Sequence, residues 1–154
     1  MSNVIATDLQ TQEVDSGLVE LFEITLPNGT TMYFHPGLDA DLTDVQFRDR
    51  TSPYSIRDYT AMPMMLDGLD LQADGASSRP ALTIANIGSI LQAELGDYKF
   101  DDLIGERLIR RQTLQKYLVG GSEDATPPVE FPTQQYIIDR VAAEDALSIT
   151  FEVA

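Results

Sequence analysis

Ala146-Leu147-Ser148-Ile149-Thr150-Phe151-Glu152-Val153 alternates apolar and small or polar residues without a break. Successive side chains of a strand point to opposite faces, so Leu147, Ile149, Phe151 and Val153 predict a half-buried β-strand. Working back along the chain, residues 136–141 carry Tyr136, Ile137, Ile138 and Val141 and predict the strand that pairs with it, through a turn near Glu144 and Asp145. Residues 18–26 are rich in apolar and β-forming types, and residues 31–35 again favour extended backbone. Between them stand Pro27, Asn28 and Gly29, so a β-hairpin is expected there, closed after its second strand by Pro36. Val45 and Phe47, then Tyr54 and Ile56, predict two more short strands.

Leu69 and Leu71 mark a strand expected within residues 67–78, bracketed by Gly68 and Gly75. Pro80 opens residues 81–86, where Leu82 and Ile84 alternate with small residues as in a strand with one buried face. Ile87, Ile90, Leu91 and Leu95 follow at helical spacing and end at Gly96, a suitable C-cap, which predicts a helix of two to three turns. Residues 103–118 fit either a helix or a strand by pattern. Residues 120–128 combine Gly120, Gly121, acids and the pair Pro127-Pro128, a loop composition that points to a segment ordering on assembly. The sum is a mainly β chain with one or two short helices, in which antiparallel hairpins favour a barrel or sandwich over a βαβ sheet. At 154 residues one domain is expected over 1–154, with residues 1–17 as an N-terminal arm.

Composition excludes much chemistry. There is no cysteine, which removes disulfides, thiolate catalysis, cysteine zinc sites and iron-sulfur ligation. The lone His35 has no second histidine with which to build a zinc site or a triad, and is expected at the surface of a strand end. Asp67, Asp70 and Asp74 lack the alternating ligands and terminal glutamate of a calcium loop, and Asp97, Asp101 and Asp102 read as solvated turn residues. No phosphate-binding glycine fingerprint is present. Met62, Met64 and Met65 fit core gaps or an adaptable contact surface. No catalytic residue, cofactor or metal is expected.

Twenty-five acidic side chains against ten basic ones give a net charge of -15, which disfavours DNA phosphates and anionic lipid as ligands. No apolar run approaches the ~20 residues needed to cross a bilayer, and residues 1–10 lack the basic and apolar regions of a signal peptide, so cytoplasmic synthesis is the expectation. The few cations gather late, at Arg107, Arg110, Arg111 and Lys116. Arg107, Arg110 and Arg111 fit either ion pairs to an acidic partner subunit or the balancing of the chain's own acids.

Several segments, taken in order, resemble a known family. Ser78-Arg79-Pro80-Ala81-Leu82-Thr83-Ile84-Ala85-Asn86, then Leu103-Ile104-Gly105, Arg110-Arg111, Tyr117-Leu118 and the strand pair over 136–153 are similar to the amino-terminal domain of the phage lambda-type minor tail protein L family, and residues 21–26 and 53–56 fit the same order. The resemblance implies that residues 107–118 form a strand. It further implies a non-enzymatic tail-hub-like subunit at the virion tail tip of a long-tailed phage, assembled in the host cytoplasm. Its implied partners are a homotrimer of itself, the distal tail protein, the central fibre or hub protein and the tape measure protein, around the DNA exit channel. Arg79, Arg107, Arg110 and Arg111 are the candidate subunit-interface residues, since guanidinium forks suit fixed carboxylates. Family members carry a cysteine-rich iron-sulfur region, and with no cysteine here cluster binding is not carried over. This suggests a short member, or one whose missing part another chain supplies. The alternative reading is a receptor- or carbohydrate-binding β module of the tail tip, using Tyr54, Tyr59 or Tyr98.

Overall fold

The computed structural model describes residues 17–36, 44–68, 80–85, 93, 95–96, 98–145 and 147–154. Among them are nine strands: β1 (Leu18–Thr25), β2 (Thr31–His35), β3 (Val45–Arg48), β4 (Ile56–Ala61), β5 (Met64–Asp67), β6 (Ala81–Ala85), β7 (Arg107–Leu114), β8 (Gln134–Glu144) and β9 (Ser148–Val153). Their hydrogen-bonded order is β3-β4-β2-β1-β7-β8-β9-β6-β5. The mainly β expectation is met. The order has two ends, β3 and β5, so the described strands do not close into a barrel. The pairs β3–β4, β5–β6, β6–β9 and β8–β9 are antiparallel as expected, but β2 and β4 run parallel, with Phe34 opposite Thr60 and His35 opposite Ala61. Sequence periodicity reports which face a residue takes and is silent on strand direction.

The chain forms two compact units. Unit 2 comprises Glu23–Met32, Met62–Leu108 and Gln135–Ala154. It holds the expected hairpin turn, where Leu26 N–H donates to Thr30 O at 2.7 Å and Gly29 N–H to Leu26 O at 2.9 Å. Asn28 Oδ1 accepts from Thr30 N–H at 2.8 Å, and Gly29 takes φ +90°, a conformation open to glycine at little cost.

In the sheet part of unit 2 the register places Leu66 opposite Leu82, Leu82 opposite Phe151 and Ile84 opposite Ile149. All five are buried, as are Ile138 and Val153, which pair across β8 and β9. Each such burial contributes about 1.5–3 kcal/mol. Phe100 meets Phe151 edge to face at 6.5 Å. On the opposite face Thr83 and Thr150 share a hydrogen bond at 3.2 Å. Leu147 departs from the predicted pattern: β9 starts at Ser148 and Leu147 is 73% exposed. Asp145 Oδ1 accepts from both Leu147 N–H and Ser148 N–H, so the turn takes the first residue of the apparent alternation out of the strand.

Gly105 sits at a bulge. Its N–H donates to Ile138 O at 2.8 Å while Ile138 N–H donates to Glu106 O at 2.9 Å, so two residues before β7 oppose one on β8. With φ +89° at Gly105 this is the glycine-type bulge, and Ile104 precedes it 46% exposed. The segment at 62–65 divides between its two readings, with Met62 fully buried and Met65 57% exposed on β5. The strand expected at 69–71 and the calcium-like Asp70 and Asp74 lie outside the described residues, as does most of the predicted helix. Leu95 at its end is buried and helical, and Gly96 follows with φ +64°, as a C-cap requires.

Unit 1 comprises Met1–Phe22, Tyr33–Ala61 and Ile109–Gln134. Its core packs Val19, Leu21, Val45, Phe47, Tyr59, Leu114, Tyr117, Leu118 and Val129. β3 and β4 are antiparallel, with Phe47 opposite Arg57 and Val45 opposite Tyr59. The expected strand around Tyr54 begins at Ile56, because Tyr54 takes φ +57° in the connecting turn, where its N–H donates to Thr51 O. His35 corrects another expectation, being wholly buried. β4 continues alongside it in the parallel pair, so the strand end that looked free is covered. The strand implied for 107–118 is present but stops at Leu114, and a 3-10 turn over Gln115–Tyr117 delivers Tyr117 and Leu118 to the core.

Candidate functional site

β7 presents Arg110 and Arg111 to opposite faces, as consecutive strand residues must be. Arg111 is fully buried. Its Nε donates to Glu130 Oε1 at 2.8 Å and its Nη2 to Glu130 Oε2, a two-pronged pair. Nη1 donates to Arg48 O at 3.0 Å and to Tyr59 Oη at 3.1 Å, and the guanidinium carbon lies 4.4 Å from the Phe47 ring centroid. Burial opposes the charge. The Glu130 carboxylate and the Tyr59 hydroxyl outweigh that opposition and hold the guanidinium pKa above its ordinary value. A planar fork reaching a carboxylate, a carbonyl and a ring face at once is a task lysine cannot perform.

The partners converge from β3 (Arg48, Phe47), β4 (Tyr59) and the segment leading to β8 (Glu130). That segment is tied down along its length. Thr113 Oγ1 donates to Val129 O at 2.7 Å, Phe131 N–H to Gln112 O at 2.8 Å and Val119 N–H to Gln46 O at 3.0 Å. Arg48 Nε and Nη2 meet Asp124 at 3.0 and 3.2 Å, and Lys116 Nζ lies 3.2 Å from Glu123. Gly121 is required for a steric reason: a Cβ there would stand 2.4 Å from Lys116 O. Residues 120–128 are thus a loop, as composition suggested, but one with anchors inside its own unit.

Of the four interface candidates, Arg111 is withdrawn from that role, because burial and five polar or ring contacts leave it no face toward a neighbour. Arg110 is largely covered, donating to Glu20 Oε2 at 3.2 Å and Gln134 Oε1 at 2.9 Å. Arg107 opens β7, exposed and without an ion pair among the described residues. Arg79 lies outside the described residues. The sequence pattern marks Phe47 only as a strand residue and gives no sign of Glu130, Arg48 or Asp124 as members of this site. Nothing in the spacing from Arg111 to Glu130 announces a pair, since the segment between them folds back through tertiary contacts such as Val119 N–H to Gln46 O and Arg48 to Asp124.

No group of three or more potential metal-ligating side chains occurs among the described residues. Asp102 caps the 3-10 turn Phe100–Leu103 by accepting Lys99 N–H at 2.8 Å, the turn role expected of it; Asp97 is outside the described residues. Tyr59 cannot serve an exposed sugar platform, being wholly buried against Tyr33 and Arg111. The site is an internal brace.

Residues 28–154 match the family of phage minor tail protein L. The chain belongs to the phage minor tail protein L family. It is therefore a structural protein of a phage virion tail. The brace around Arg111 suits a minor tail protein L of this kind, because an assembly subunit works by keeping its shape. A buried ion pair with all prongs matched tolerates little rearrangement.

Proposed function

We propose that this minor tail protein is a hub subunit of the tail tip of a long-tailed phage, closing into a homotrimeric ring between the distal tail protein and the central fibre. The family match over 28–154 carries the reading. A closed ring needs a patch on each copy that mates with the next. Arg107 is the described residue best suited to that contact, an exposed guanidinium on a chain with 25 acids available to meet it. Arg79 and the exposed fringe of Arg110 are the further candidates. In the same reading the tape measure protein lies nearby, the subunit assembles in the host cytoplasm, and the carboxylate excess faces the DNA exit channel so that the leaving polyanion is not held.

Cryo-electron microscopy of the tail tests all of this together, with three copies around a tip channel walled by carboxylates as the expected result. A position remote from the tip, or a lumen lined by neutral and basic residues with the acids outside, would overturn the placement or the channel role respectively. Arg107→Glu is expected to leave the fold intact by circular dichroism while lowering incorporation into tails; unchanged incorporation removes Arg107 from the interface.

A further inference from the structure

β3 ends the strand order, and its described strand neighbour is β4. Such an edge offers unpaired backbone groups to any extended chain, and proteins usually blunt it. Here the carbonyls of Gln46 and Arg48, two residues apart and hence on one edge of the strand, are taken by donors that are not a strand. Gln46 O accepts Val119 N–H at 3.0 Å, and Arg48 O accepts Arg111 Nη1 at 3.0 Å. The same residues 119–131 are clasped to the β3 side chains by Arg48 with Asp124 and to β7 by Glu130 with Arg111.

We propose that residues 119–131 are an edge cap whose work is to stop β3 from pairing with β3 of a second copy of this chain. The occupant follows from charge. In an antiparallel pairing centred on Gln46, Asp44 of one copy, the residue before β3, faces Arg48 of the other, so residues 44–48 are self-complementary in backbone and charge; within its own copy Asp44 Oδ1 accepts Ala61 N–H at 2.9 Å, which holds the carboxylate at the end of the strand. While capped, Arg48 is spent on Asp124, and Gln46 O at the centre of that pairing is filled by Val119 N–H, so free subunits cannot join this way. The inference rests on the geometry of unit 1 alone and stands apart from the ring.

The test uses the full chain with two substitutions that loosen the cap differently. Asp124→Ala removes the clasp and frees Arg48; Gly121→Val pushes the segment off Lys116 without touching a charge. In both, amide exchange at Val119 is expected to quicken roughly five- to tenfold or more, with protection on β9 unchanged. Sedimentation velocity is expected to show concentration-dependent association beyond the parent, reduced when Asp44→Asn is added. Faster exchange at Val119 with parental sedimentation overturns the proposal, as does unchanged exchange in both variants. Association accompanied by loss of β9 protection is unfolding and also counts against it.

Discussion

Arg111 and Glu130 meet through two parallel prongs, Nε to Oε1 at 2.8 Å and Nη2 to Oε2, with the arginine fully buried and the glutamate side chain 12% exposed. Removing one member leaves the other charge buried, so Arg111→Met is expected to cost roughly 3–5 kcal/mol. Replacing both by well-packed apolar residues should cost much less. Urea denaturation of the two single variants and the double variant gives the coupling; additive losses would mean that the pair does not act as a unit.

Gly105→Ala isolates backbone strain. A Cβ at Gly105 meets nothing within 4 Å, so the penalty comes from φ +89° alone and should be about 1–2 kcal/mol. A neutral result in thermal denaturation would show that the bulge relaxes instead.

Phe151 and Leu147 belong to the same alternation in sequence but not in space. Phe151→Ala is expected to lose about 3–5 kcal/mol, and Leu147→Ala to stay within about 0.5 kcal/mol of the parent. Comparable losses at the two positions would contradict the 0% and 73% exposures found.

Acid should weaken the fold through identifiable carboxylates. The Arg48 guanidinium holds the Asp124 carboxyl below its ordinary pKa, and the N–H groups of Leu147 and Ser148 do the same for Asp145. Because folding lowers both values, their stabilisation is fully present above the ordinary aspartate pKa. It is lost as pH falls through the lowered folded values. Urea midpoints measured from about pH 6 to about pH 3 should fall. Asp124→Asn should start lower at neutral pH and fall less steeply. A parallel decline in parent and variant would remove Asp124 from the acid response.

The strands were legible where one face is buried. Leu82 with Ile84, and Ile149 with Phe151 and Val153, alternate because a strand places every second side chain inside. The hairpin at 18–35 was legible because Pro27, Asn28 and Gly29 restrict the backbone locally. The absence of cysteine settled, without any fold, that no cluster or thiolate chemistry resides here. Charge, period and turn chemistry are local properties, and the amino-acid sequence by itself determined what depends on them.

Tertiary structure alone decided the rest. That β2 and β4 run parallel, that His35 is buried, that Arg111 faces inward while Arg110 faces the other way to Glu20, and that residues 119–131 return to cover β3 all depend on which distant segments meet. An arginine reads the same in sequence whether it awaits a neighbouring subunit or is already held by Glu130, because the partner that fixes its role lies nineteen residues away and is brought to it only by the fold.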